Sequence, residues 1–402
     1  MAVPKLRFPG FTDDWEQRKL SEVAEFSKGN GYSKGDLCDV GTPIILYGRL
    51  YTKYETSISE VDTFAIPKSG SVYSKGGEVI VPASGETAED IARAATVENA
   101  GILLGGDLNV VTPSKDINSA FLALSISNGE PQKELAKKAQ GKSVVHIHNE
   151  EIKGLEIAFP EREEQDRISA YFSNLDNLIT LHQCECNELQ ELKKSMLQKM
   201  FPKAGKTVPE IRFPGFDGEW ERIPLRNVTT QSLDKNSKNQ DIPVYSVTNH
   251  SGFIPQEDTF VNGEVASQNK KTYRIVKKNQ FAYNPTRINV GSIDYLRDIE
   301  KVIVSPLYVV FMCNDNVDPA FIKLFSLTND FKNQRQDNTE VGVRDTLKYD
   351  RFSNILISLP SLKEQQKIGS FFKEIDNRIE LQKQLLDEIK EYKKGLLQQM
   401  FC

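Results

Sequence analysis

Two stretches of this chain carry apolar residues at alternating spacings of four and three. The first runs Ile168, Phe172, Leu175, Ile179, His182, Cys186, Leu189, Lys193, Met196, Met200. The second runs Ile368, Phe372, Ile375, Ile379, Gln382, Leu386, Ile389, Lys393, Leu396, Met400. Most intervening positions are polar or charged, and glycine and proline are nearly absent. This pattern predicts two long helices, each with a narrow apolar seam of coiled-coil type. The polar interruptions fall at the same two seam positions in both copies. Each helix would be about 60 Å long at 1.5 Å per residue. That outgrows a domain of this size, whose radius of gyration is about 15 Å. The helices are therefore expected to pair, and connectivity makes antiparallel packing the shorter solution: the first helix delivers the chain to a second globular segment, from which the second helix returns. A pseudo-twofold relation between the halves follows.

The remainder is patterned in short runs. Strands are predicted at Pro43–Tyr47, Glu78–Pro82, Leu108–Pro113 and Leu155–Pro160, and again at Ile242–Val247, Gln280–Asn284, Val302–Val310 and Ile355–Pro360. Short helices are expected at Ser119–Ser127 and Pro319–Thr328. The expected fold class is α+β. Two globular α/β domains, 1–160 and 202–360, alternate with helices over 161–201 and 361–402.

The chain also repeats itself. Arg7-Phe8-Pro9-Gly10-Phe11 returns as Arg212-Phe213-Pro214-Gly215-Phe216, and Trp15 returns as Trp220. The segment from Pro160, PEREEQDRISAYFSNLD, returns from Pro360 as PSLKEQQKIGSFFKEID, and Lys193-Lys194…Met200-Phe201 returns as Lys393-Lys394…Met400-Phe401. The intervening segments match poorly. This is a duplicated half-protein with a constant frame and divergent domains; the period is too long for a solenoid.

At 402 residues, with 39% hydrophobic and 27% charged residues, the composition is that of an ordinary globular protein. No 18-residue apolar run or signal-peptide core is present, so no membrane association and a cytoplasmic location are expected. Five scattered cysteines do not suggest a disulfide framework. The net charge of −5 excludes a polycation that holds nucleic acid by charge alone. It is an average, however: residues 1–160 carry −5 and residues 202–360 carry +2.

The sharpest basic cluster is Lys270, Lys271, Arg274, Lys277 and Lys278. It precedes the segment Tyr283-Asn284-Pro285-Thr286-Arg287-Ile288-Asn289-Val290-Gly291-Ser292. Asn and Arg are the side chains that read adenine and guanine edges with two hydrogen bonds. Tyr283, Asn284, Arg287, Asn289 and Ser292 are accordingly candidates for DNA contact, together with Lys270, Lys271 and Arg274; a solvated basic hairpin is the plainer alternative. The matching stretch of the first half supplies Ser84, Glu86 and Thr87, and a loop before its last strand supplies Lys142 and Ser143.

Enzyme signals fail. Gly141-Lys142-Ser143 resembles the end of a phosphate-binding loop, but its required first glycine is Ala136. Asn284-Pro285 lacks the following proline and aromatic of an amino-methyltransferase motif. Cys184 and Cys186 point about 200° apart on a helix and cannot chelate one ion. His146 and His148 could lie on one strand face as metal ligands, but no cluster of carboxylates or thiols accompanies them, and four histidines offer little for acid–base chemistry.

The duplicated RFPGF…W entry, the duplicated P…EQ…I…F…D helix start, the lysine-rich Met-Phe helix ends, Tyr283–Ser292 and the Val81-Pro82…Ser84-Gly85-Glu86-Thr87 stretch together resemble the specificity subunit of type I restriction–modification systems. The resemblance covers essentially the whole chain. It implies two target recognition domains, each reading one half of a bipartite sequence in double-stranded DNA, and two helices that set the spacing and dock two methyltransferase subunits. Ile168, Phe172, Leu175, Ile179, Ile368, Phe372, Ile375 and Ile379 are the candidates for that docking. Restriction subunits complete the enzyme. It further implies no catalysis by this chain, with S-adenosylmethionine, ATP and magnesium held by the partners. A non-catalytic coiled-coil adaptor between proteins is the alternative from another class. An autonomous methyltransferase is disfavoured by the missing motifs.

Overall fold

Both long helices form over the predicted stretches. In the computed structural model, which describes residues 4–139, 141, 144–259, 269–339 and 346–401, they span Arg162–Lys199 and Leu362–Met400. Each begins two residues after a proline, Pro160 or Pro360, which cannot itself donate into the helix. Contacts divide the chain into two units, Met1–Glu185 with Gln382–Cys402, and Cys186–Leu381. Each unit thus holds the start of one long helix and the end of the other.

In the first unit the two helix segments run antiparallel. Tyr171 Oη lies 3.0 Å from Tyr392 Oη, Asp176 pairs with Lys393, and His182 Nδ1 lies 2.9 Å from Gln382 Oε1. Ile168, Phe172 and Leu175 enter a core closed by Leu396, Met400 and Phe401. Phe401 packs against both Phe121 and Phe172, with ring centroids 5.6 and 6.2 Å away. The second unit is built the same way. Ile368, Phe372, Ile375 and Ile379 share a core with Cys186, Leu197, Met200 and Phe201. Phe201 stacks on Phe321 at 4.9 Å, and Lys193 Nζ sits 2.5 Å from Asp376. The polar seam positions are therefore paired across the helices.

The duplicated entry segments pin these helix ends. Leu6 N–H donates to Gln399 O at 3.1 Å in the first unit, and Ile211 N–H to Lys199 O at 3.0 Å in the second. Arg7 grips the buried Glu164 with two bonds of 2.9 and 2.6 Å; Arg212 grips the buried Glu364 with two of 2.7 and 2.8 Å. Gln165 and Gln365, both buried, each donate to the carbonyl of the proline before the helix, Pro160 or Pro360, and each accept a backbone N–H from the N-cap residue of a short helix earlier in the same domain, Asn118 or Asp318. The repeated motif residues are thus spent on the frame.

The seam residues named as partner contacts require correction. Ile168, Phe172, Leu175, Ile368, Phe372, Ile375 and Ile379 are buried and Ile179 is half-buried. Hydrophobic burial has already been realised within the chain at these positions, which leaves no apolar face there for another subunit.

Mixed α and β structure fills each unit. The first has a five-stranded sheet ordered Ala24–Lys28, Leu108–Pro113, Glu78–Pro82, Ala95–Val97, Ser57–Ile58, antiparallel except for the last pair. A second five-stranded sheet carries Leu37–Cys38, Phe64–Ala65, Thr42–Ile45, Ala100–Leu104 and Tyr73–Lys75. In the second unit a four-stranded sheet orders Thr229–Ser232, Val309–Cys313, Phe281–Tyr283 and Ile293–Tyr295. Strand Glu16–Lys19 pairs with Glu156–Phe159, and Glu221–Pro224 with Leu356–Leu359, so each domain's first and last strands meet. The run Val302–Val310, expected as one strand, is two: Lys301–Val304 and Val309–Cys313. Pro306 cannot donate into a ladder, and Tyr308 N–H closes a turn on Ser305 O at 3.0 Å. Among the described residues no helix is long and apolar enough to cross a membrane.

The frame yields a stability prediction. Arg7→Ala leaves Glu164 as an unpaired buried charge and should cost about 3–5 kcal/mol by urea denaturation. Arg7→Ala combined with Glu164→Leu should recover most of the loss; equal destabilisation of both variants would contradict this account.

Candidate nucleic-acid interface

Each unit brings two distant loops together beside the central strand of its main sheet. In the first unit Ser84–Gly85 pairs antiparallel with Val145–His146. Ile147 N–H donates to Ala83 O at 3.1 Å, and the buried Asn109 Nδ2 donates to Ile147 O at 2.9 Å. In the second unit Leu347 N–H donates to Pro285 O at 3.1 Å, and Tyr283 Oη donates to Leu347 O at 3.1 Å. The same backbone tie thus recurs, although the loop sequences differ.

In the second unit the strand Phe281–Tyr283 leads into the loop and Ile293–Tyr295 leads out, with Gly291 in the left-handed region at φ +90°. Asn284 Oδ1 accepts from Thr286 N–H at 3.1 Å and from Thr286 Oγ1 at 2.9 Å, fixing the turn locally. Ile288 is buried beneath. Thr286, Arg287, Asn289 and Val290 are exposed, and the Arg287 guanidinium has no partner among the described residues. The loop is a braced platform presenting one free guanidinium and one amide.

Two candidates on this loop are corrected by burial. Tyr283 is wholly buried, packs 5.2 Å from Phe352, and spends its hydroxyl on Leu347; burial raises its pKa well above the ordinary tyrosine value. Ser292 is also buried and donates to Val247 O at 2.5 Å. Both brace the loop from behind and cannot meet a ligand in this conformation. Asn284 is half-buried, with its carbonyl oxygen committed to Thr286.

Within the basic cluster, Arg274 and Lys277 belong to the strand Arg274–Lys277, which pairs with Lys301–Val304. Lys277 bonds Asp234 at 2.8 Å, Lys278 bonds Glu300 at 3.3 Å, and Arg274 reaches Leu233 O at 3.3 Å. Lys277 and Lys278 precede the strand Phe281–Tyr283, whereas the loop follows it. Lys271 is exposed and Lys270 half-buried. These lysines are available for surface contact, but two of the five charges of the cluster are offset by carboxylates.

In the first unit Glu86 and Thr87 are exposed, but Thr87 caps the helix Ala88–Ile91 by accepting from Asp90 N–H at 3.0 Å. Ser84 is buried, which corrects its reading as a contact residue: its hydroxyl lies 3.1 Å from His146 Nδ1, and its carbonyl accepts from Tyr51 Oη at 2.7 Å. Lys142 and Ser143 lie outside the described residues, as do 340–344 of the second unit's matching loop. Cys184 is exposed and Cys186 buried, in keeping with side chains that point to different faces of the helix. Among the described residues no group of three or more His, Cys, Asp or Glu side chains is placed to hold a metal ion.

One cluster was missed. Lys323, nearly buried on the helix Pro319–Phe325, donates to Ile293 O at 2.6 Å behind the loop. Burial lowers its pKa while Asp294 opposes the shift. A lone lysine inside the apolar run Ile322-Lys323-Leu324 was the available signal. Its partner, however, comes from a strand some thirty residues earlier.

The brace is testable. Tyr283→Phe strands the buried Leu347 carbonyl and should cost about 1–3 kcal/mol. An unchanged midpoint in urea denaturation would show that the hydroxyl carries nothing.

The chain matches the family described as "Type I restriction modification DNA specificity domain" twice, over residues 12–191 and 221–391. It is 24% identical over 414 residues to the MjaX protein of Methanocaldococcus jannaschii, named as a type I restriction enzyme specificity subunit; the match covers 96% of this chain and 92% of that one. Among solved structures, the type I restriction–modification S subunit from M. genitalium superposes with a TM-score of 0.62 at 15% identity, over 100% of this chain and 99% of that one. A chain from a structure on complex assembly and conformational transition of the type I R-M system gives 0.51 at 14% identity, over 96% and 97%.

Proposed function

Because the chain belongs to the type I restriction–modification DNA specificity family, with both halves matching the family's domain, we propose that it is the non-catalytic target-reading subunit of such an enzyme. Each unit reads one half of a bipartite site in double-stranded DNA through the exposed side chains of its paired loops, Glu86 and Thr87 beside the Val145–His146 strand in the first and Thr286, Arg287 and Asn289 in the second. The observation that carries this reading is the recurrence of the same loop tie, Ile147 to Ala83 and Leu347 to Pro285, under unrelated exposed side chains. A constant scaffold with divergent tips suits two different half-sites. Arg287 is the foremost base-reading candidate, since an unpaired exposed guanidinium can meet a guanine with two hydrogen bonds.

The two long helices would act as the ruler. Each starts in one unit and ends in the other, so its length would constrain the spacing of the half-sites. Reading from one face of the duplex would require half-sites about one helical turn apart, roughly 34–36 Å. Methyltransferase subunits would dock on the outer helix faces rather than on the seam. In the first unit Leu178, Leu181, Leu385 and Tyr392 are exposed there, as are Leu192 and Leu381 in the second. Leu181 and Leu381, and Leu192 and Tyr392, occupy equivalent places in the two copies, which suits two copies of one partner. S-adenosylmethionine, ATP and magnesium would belong to the methyltransferase and restriction subunits.

Two outcomes follow. Arg287→Ala should relax one half-site by about 1–3 kcal/mol in competition binding of the methyltransferase complex, leaving the other half-site intact. Unaltered preference would remove Arg287 from the interface. Leu181→Asp should weaken assembly with the methyltransferase at least tenfold, measured by analytical ultracentrifugation, with the melting temperature of the free chain preserved. Full assembly by this variant would reject the outer face as the dock.

A further inference from the structure

The duplication supplies an internal comparison for the cluster behind the second unit's loop. In that unit the ladder sets Asp294 opposite Ala282, on the strand Phe281–Tyr283. In the first unit the matching ladder sets Ala95 opposite Ile80. The helix packed on the strand that carries Asp294 or Ala95 is Pro319–Phe325 in the second unit and Ser119–Ile126 in the first, where the place of Lys323 is taken by Ala123. Ala95 and Ala123 are both fully buried. A lysine–aspartate pair in one copy thus replaces two alanines in the other.

The charged version is tightly built. Lys323 Nζ donates to Ile293 O at 2.6 Å and lies 3.9 Å from Asp294 Oδ2. Arg297 holds the same buried carboxylate with bonds of 2.8 and 3.3 Å, and Tyr295 N–H donates to it at 2.8 Å. Gly252, at φ +62°, lets the neighbouring strand close over this group: a Cβ there would fall 2.2 Å from Asp294 Oδ2.

A buried carboxylate such as Asp294, paired with a half-buried lysine and an exposed arginine, adds little net stability, and apolar residues of similar volume often serve as well or better. The first unit shows that the frame closes with alanines. What the cluster does hold is the exit of the loop. Ile293, whose carbonyl Lys323 takes, is the first residue after the 284–292 loop, and Ser292 before it is tied to Val247. The loop's entry is tied separately, through Tyr283 and Pro285 to Leu347.

We propose that Lys323, with Asp294 and Arg297, is a positioning device that fixes the exit of the 284–292 loop, so that its exposed side chains meet DNA in one register. Lys323 is therefore a positioning residue for the specificity of one half-site. The inference rests on the DNA-reading role proposed above. A base-reading contact tolerates little displacement, so a loop free at its exit would still touch DNA but discriminate poorly.

The test uses the full chain in complex with its methyltransferase partner. The wild-type complex selects its preferred duplex from a random-sequence library. Binding is then measured to that duplex, to versions with either half scrambled, and to fully scrambled DNA, for the wild type, for Lys323→Met, and for Lys323→Ala/Asp294→Ala, which restores the alanines of the first unit. The expected result is at least a tenfold loss of discrimination at one half-site only, unchanged affinity for fully scrambled DNA, and faster amide exchange over 284–292 with melting temperatures kept within a few degrees. Unchanged discrimination in both variants overturns the positioning role. So does a uniform loss at both half-sites accompanied by lowered melting temperatures, which would mark a merely structural cluster. Failure of the wild-type complex to enrich any sequence instead overturns the DNA-reading role beneath it.

Discussion

Each unit of this protein is closed by a helix end that belongs to the opposite half of the repeat. Met400 and Phe401 complete the core around Phe121 and Phe172, while Met200 and Phe201 complete the core around Phe321 and Trp220. Losing one such aromatic from a core typically costs about 3–5 kcal/mol, a large share of a domain's net stability. Neither half of the sequence can therefore finish its own core, and the long helices are structural parts of both units rather than tethers between them. The Arg–Glu pairs of the entry segments and the buried Gln165 and Gln365 serve the same end, fixing where each helix starts.

This division of labour explains which parts of the repeat are constant. The residues that recur between halves are those bound to the frame. The intervening domains differ throughout, loop tips and the positions behind them included: Ser84–Thr87 against Thr286–Asn289, Ala95 against Asp294, Ala123 against Lys323. A target-reading protein built on this plan can change what it recognises without disturbing how it folds, because the two tasks fall on different residues.

Much of the frame was legible in the sequence because its causes are periodic. The four-three spacing from Ile168 and Ile368 marks both seams, and the strands Glu78–Pro82 and Leu108–Pro113 form over the predicted residues. Even the polar seam positions make sense once the antiparallel register pairs His182 with Gln382 and Lys193 with Asp376. The site was less legible, since burial depends on partners that spacing does not reveal. Tyr283 and Ser292 sit in a polar, glycine- and proline-bearing segment and look available for contact, yet Phe352, Leu347 and Val247 cover or engage them. The seam residues were given a docking role by the family resemblance, although their spacing already called for a partner helix in the same chain, and that helix buries them. Lys270 to Lys278 read as one basic patch, but Asp234 and Glu300 offset two of its charges, Lys277 and Lys278.

We propose that two units with a common frame read two unlike half-sites at a separation set by the helices. The most direct measurement is selection of bound duplexes from a random-sequence library by this chain assembled with its methyltransferase partner. The account predicts enrichment of a split sequence, two different short halves around a spacer of constant length and free composition. Enrichment of a single uninterrupted site, of two identical halves, or of halves at variable spacing would contradict it.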